Sequence, residues 1–167
     1  STLAELALRL EGEKEIPFFA ERTLEMEEKI PQQCVMTASF SYLRQLPERI
    51  DGLDCVYFPL EALCEDRETL EKIIQRVTVG VQLPRVVTDK ERSAVYQALV
   101  MLRETGVSHA LCGNIGLLPM LRELAFEITT DISMNTINSA AMEVLRRRGV
   151  GRAICSAELS VAQIRDL

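Results

Sequence analysis

What most constrains the fold of this chain is a rhythm. Short apolar runs break into polar residues, and a helical pattern follows each break. The runs fall at residues 34–37 (CVMT), 55–58 (CVYF), 77–81 (VTVGV, with an extension through 85–87), 109–112 (HALC), 127–130 (EITT) and 153–155 (AIC). Successive runs begin roughly 20–30 residues apart, the length of a strand–helix unit. No hairpin signal separates them. Such alternation implies parallel strands with helices outside. The expected class is α/β: parallel strand–helix repeats with about six strands, a partial (β/α) TIM-barrel-like domain. A closed barrel of this class takes eight strands, so the pattern reads as a barrel cut short. The alternative, an open doubly wound sheet, lacks its nucleotide signatures: neither G-x-G-x-x-G nor G-x-x-x-x-G-K-[ST] occurs.

Punctuation supports the helices. Asp66 is placed to cap a helix whose Leu70, Ile73 and Ile74 face inward. Thr88 and Glu91 make a capping-box pattern before a stripe of Val95, Ala98, Leu99 and Leu102, which Gly106 ends. A short helix covers 118–124. Asn138 precedes a helix with Ala141, Val144 and Leu145 on one face, stopped by Gly149. Ser160 and Gln163 mark one more start, and 42–46 is a helical turn ended by Pro47. At the N-terminus, Leu3, Leu6, Ala7 and Leu10 have helical spacing, and a charged stretch follows between Pro17 and Pro31. The expected division is therefore an N-terminal helix and connector at 1–31 and a partial barrel at 32–167.

Composition bounds function. At 167 residues, 47% of them apolar, the chain is one domain or a large piece of one, with enough apolar mass for a real core. No apolar run is long enough to span a membrane. The opening STLAELALRL has no signal-peptide pattern, so a cytoplasmic location and no membrane partner are expected. A net charge of −6 argues against a broad nucleic-acid surface. The five cysteines contain no C-x-x-C pair, and most adjoin apolar runs, which fits buried, reduced thiols rather than metal ligands.

Chemistry is expected where strands end, because parallel α/β sheets gather functional groups at that edge. Glu61, Asn114, Asp131, Asn135, Ser156 and Glu158 all fall there. Carboxylates with amide neighbours bind divalent ions or act as acid and base. The same residues also make turns and helix caps. The lone histidine, His109, opens an apolar strand and reads as a core or strand-edge residue. Gly113-Asn114-Ile115-Gly116 is a turn whose backbone N–H groups suit an anion. Arg146-Arg147-Arg148 complements a helix C-terminus.

Three stretches of the last third, taken together, resemble the collagenase-like peptidase family U-32. They are Gly113-Asn114-Ile115-Gly116 (G-N-x-G), Asp131 to Ser139 (D-x-S-x-N-x-x-N-S) and Ser156-Ala157-Glu158-Leu159 (S-x-E-L). The likeness is best over 77–167. It implies a barrel-like fold and a family named for peptidase activity of unassigned catalytic type. Some relatives are instead linked to RNA modification or quinone biosynthesis and use an iron–sulfur cluster. Carried over by position, Asp131 and Glu158 become the candidate catalytic pair. Asn114, Ser133, Asn135, Asn138 and Ser156, with Glu61 from the strand-end reading, become candidate substrate-binding residues. Thr130 stands where the family usually has a glycine, and the family's cysteine cluster motif lies downstream of S-x-E-L. No metal ligand or cofactor is therefore assigned to this chain; an iron–sulfur cluster would belong to a full-length protein. The expected function is a piece of a collagenase-like peptidase, inactive alone, whose partners are the remainder of its parent chain and a protein or RNA substrate. Self-association over the open barrel edges is also expected. The alternative is a non-catalytic docking module of an RNA-modifying iron–sulfur protein.

Overall fold

The computed structural model describes residues 34–165. Six strands form one sheet in the order β1-β2-β3-β4-β5-β6, every neighbouring pair parallel. They are β1 (Thr37–Ser39), β2 (Cys55–Pro59), β3 (Thr78–Gln82), β4 (His109–Cys112), β5 (Glu127–Thr130) and β6 (Val150–Ala153). The helices are α1 (Leu60–Glu65), α2 (Arg67–Ile74), α3 (Asp89–Thr105), α4 (Leu118–Glu123), α5 (Ser139–Arg147) and α6 (Val161–Arg165). Sequential order with helical crossovers makes this a half-barrel, the partial (β/α) barrel that the alternation implies.

Side chains alternate along each strand between two faces. Val56, Phe58, Val79, Val81, Ala110, Cys112 and Ile128 face the helices, where they meet Leu63, Leu70, Leu99, Leu102 and Leu121 in one buried core. Each such side chain contributes about 1.5–3 kcal/mol relative to exposure. The alternate residues line the inner face. There Cys55, Tyr57 and Leu111 form a second, smaller buried cluster. Gly80 sits between them on β3, and a Cβ at that position would overlap the Tyr57 ring. The missing side chain lets the Tyr57 hydroxyl approach Thr129 Oγ1 on β5 at 3.4 Å.

The helix signals hold closely. Asp66 accepts from Thr69 N at 3.0 Å, and Asn138 accepts from Ala141 N at 2.8 Å. Glu91 reaches back to Thr88 N at 2.8 Å, and Gln163 to Ser160 N at 2.9 Å. Gly106 ends α3 in the left-handed region, as Gly149 does after α5.

Three boundaries differ from the sequence reading. β1 starts at Thr37, not residue 34. Val35 and Met36 are exposed, and the Met36 N–H donates to Asp54 Oδ2 at 2.7 Å at the sheet edge. β3 stops at Gln82, because Pro84 cannot donate to a ladder, and Val86 is 80% exposed. β6 begins at once after Gly149, since Val150 is the buried residue there. Ile154 is exposed, and Cys155 makes only an isolated bridge to Thr136. On α5 only Leu145 is buried; Val144, expected on the inward face, is exposed. The helix and connector expected at 1–31 lie outside the described residues.

Candidate functional site

The C-terminal ends of β3, β4 and β5 bring one polar cluster together. Asp131 directly follows β5, and its N–H extends the ladder to Cys112 O at 3.1 Å. That pairing holds the residue in register, so its carboxylate sits beside the turn after β4. The side chain is almost fully buried. Oδ1 accepts from Ser133 N at 2.7 Å and from the Ser133 hydroxyl. Ser133 Oγ also lies 3.1 Å from Gly113 O. Oδ2 faces Arg85 Nε at 3.6 Å. Arg85 comes from the loop after β3, and its carbonyl accepts from Asn114 Nδ2 at 3.2 Å. Asn114 Oδ1 in turn accepts from Gly116 N at 2.9 Å.

Gly113 is the steric key. A Cβ there would stand 2.6 Å from Asp131 Oδ2 and would overlap Ser133 Oγ. The glycine therefore makes room for the carboxylate and the serine. Next to it, burial raises the Cys112 thiol pKa, with the nearby Asp131 charge acting in the same direction. Cys112 is thus a neutral thiol under ordinary conditions.

The other candidates divide. Asn135 closes the turn after Asp131 in the left-handed conformation, φ 46°, which asparagine tolerates. Asn138 caps α5. Ser156 is buried, donates its N–H to Thr136 O at 3.0 Å, and its Oγ lies 3.4 Å from Glu158 N. Glu158 is exposed, and its carboxylate has no hydrogen-bond or ion-pair partner among the described residues. Nothing pairs it with Asp131. Glu61 is exposed on the first turn of α1, outside the cluster. The sequence therefore located Asn114, Asp131 and Ser133 as neighbours but missed Arg85. Its only signal was an arginine after Pro84 at the end of an apolar run, which had been read as strand.

Two buried hydroxyls, Thr130 Oγ1 and Thr136 Oγ1, have no hydrogen-bond partner among the described residues. At the opposite end of the sheet, His109 Nε2 meets Glu127 Oε2 at 3.2 Å and Nδ1 meets Ser108 Oγ at 2.9 Å. The lone histidine thus sits at the N-terminal end of β4, away from Asp131.

The cysteines differ in setting: Cys55 is on the inner face and Cys112 faces the helices, Cys155 is half-buried after β6, and Cys34 and Cys64 are exposed. Among the described residues, no three His, Cys, Asp or Glu side chains group to hold a metal ion. Likewise, no helix there is long and apolar enough to cross a membrane.

Comparison with curated proteins gave no match. The profile described as Peptidase family U32 matches residues 52–167, which include β2 to β6 and every member of the Asp131 cluster. A match over most of the chain, on a half-barrel that carries the motifs at its strand ends, places this protein in peptidase family U32.

Proposed function

We propose that the Asp131 cluster binds the main chain of a polypeptide substrate, and that this chain recognises the substrate without cleaving it. The observation that carries this reading is the engagement of Asp131: both carboxylate oxygens face donors, on Ser133 and on Arg85. A carboxylate held this way fixes the positions of its donors. Ser133 is exposed at the surface of the cluster, as are Asn135 and Arg85. Hydroxyl, amide and guanidinium groups at a sheet's C-terminal edge suit peptide carbonyls and N–H groups. The base beside the Ser133 hydroxyl is the Asp131 carboxylate, which also accepts from the Ser133 N–H and faces Arg85. The one imidazole of the chain stands at the other end of β4. Membership of a peptidase family supports a polypeptide as the ligand class.

The test titrates fluorescent denatured collagen with the wild-type chain and with Asp131→Ala and Arg85→Ala, followed by anisotropy. RNA of similar length serves as the comparison. Saturable polypeptide binding that weakens at least about tenfold in both variants is expected. Equal binding by Asp131→Ala, or a preference for RNA, would overturn the proposal.

A further inference from the structure

Beside the Asp131 cluster, on the helical side of the same sheet edge, lies a groove of about 340 Å³. Its walls include Leu60, Val86, Val87 and Ala94, and two of its lining residues are Glu61 and Glu91. Arg85 links the two features. Its side chain turns to Asp131, while its neighbours Pro84 and Val86 line the groove. A chain lying across Arg85 would therefore pass from one to the other.

We propose that this groove is a side-chain subsite, and that it takes an apolar residue followed by a basic one from the polypeptide bound at Asp131. The inference rests on the polypeptide-binding reading above and adds a sequence preference to it. Three observations support it. The volume lies at the small end of ligand pockets, which suits part of a bound chain rather than a whole large ligand. Val86, 80% exposed, is a large apolar side chain left for an incoming group to cover. The charges are one-sided. The two charged residues of the lining, Glu61 and Glu91, are both acidic, and among the described residues no lysine, arginine or histidine lines the groove. Glu91 is already occupied, closing the α3 cap with Thr88. Glu61 is exposed, with no ion-pair partner among the described residues, and is free to meet a cation. Glu61 was a candidate from its place after β2. It lines this groove.

The experiment uses short fluorescent peptides with a central Leu-Lys, Gly-Lys or Leu-Glu. Leu-Lys should bind wild type at least about tenfold more tightly than Gly-Lys, the scale expected for one buried leucine side chain, and several-fold more tightly than Leu-Glu, whose carboxylate would meet Glu61. Ala94→Phe, an exposed position in the groove wall, should abolish the advantage of leucine. Glu61→Lys should exchange the preference for Leu-Lys with one for Leu-Glu. Cys64 also lines the groove and provides a readout in the unaltered chain. Saturating Leu-Lys peptide should slow its alkylation several-fold and leave exposed Cys34 unchanged. Equal binding of the three peptides, no exchange in Glu61→Lys, or unprotected Cys64 would overturn the subsite. If Arg85→Ala weakens all three peptides alike while Ala94→Phe changes nothing, the subsite fails and the Asp131 site stands. If Ala94→Phe acts while Asp131→Ala does not, the cluster reading fails instead.

Discussion

The carboxylate of Asp131 packs against the bare α-carbon of Gly113, with 2.6 Å between Oδ2 and the place a Cβ would take. Two adjacent strand ends therefore share one small volume. The G-N-x-G turn and the D-x-S-x-N segment are one structure rather than two motifs. Gly113→Ala should push Asp131 or Ser133 out of position. The expected cost is about 1–3 kcal/mol of stability, with polypeptide binding weakened as in Asp131→Ala. Thermal melts and anisotropy on the same preparation check both parts.

A similar steric argument applies on the inner face. Gly80→Ala would strike the Tyr57 ring, so a loss of about 1–3 kcal/mol is expected. Tyr57→Phe removes only a long hydrogen bond to Thr129 and should cost about 1 kcal/mol or less. If urea melts showed the two variants equally stable, crowding over Gly80 would not be the cause.

Acid should expose a local clamp on α5. Hydrogen bonds from Arg146 and Arg147 hold the Glu143 carboxyl at about 2, below its ordinary 4.5. A carboxyl lowered by folding stabilises the fold fully above its unfolded value, and that contribution fades as pH falls through its folded value. The wild type should therefore lose stability between pH 4.5 and 2 in a step that Glu143→Gln lacks. The pair is at the surface, so added salt should shrink the step. Melting curves across this range would show it; parallel curves would contradict it.

The thiols should separate by reactivity. Burial raises the Cys55 pKa to about 11 and raises that of Cys112 too; Cys64 is exposed, but partial burial and the Glu61 charge raise its thiol as well, while Cys34 is exposed. Alkylation at pH 8 followed by peptide mapping should modify Cys34 first and Cys64 more slowly. Cys55 and Cys112 should react only after unfolding.

The half-barrel was legible because its evidence is periodic. Each strand is a short apolar run, and each main helix carries its cap in the sequence: Asp66, Thr88, Asn138 and Ser160 all cap as read. The errors fall where local pattern and tertiary burial disagree. Residues 153–155 look more strand-like than 150–153, yet Val150 pairs with Ile128 and is buried while Ile154 is not. The site was half legible. Asn114, Asp131 and Ser133 lie at strand ends that sequence can locate. Arg85 joins them only because β3 and β4 are neighbours in the sheet, a relation no local pattern contains. Glu158 pairs with Asp131 in the sequence reading because both follow strands; among the described residues no hydrogen bond or ion pair joins the two side chains.

The most direct test of recognition without cleavage is to incubate denatured collagen with the wild-type chain and with Asp131→Ala, and to look for new peptide termini by mass spectrometry. The account predicts that wild type retains the polypeptide intact, Asp131→Ala retains little, and neither produces new termini. New termini formed by wild type and lost in Asp131→Ala would contradict it and make Asp131 part of a peptide-cleaving site.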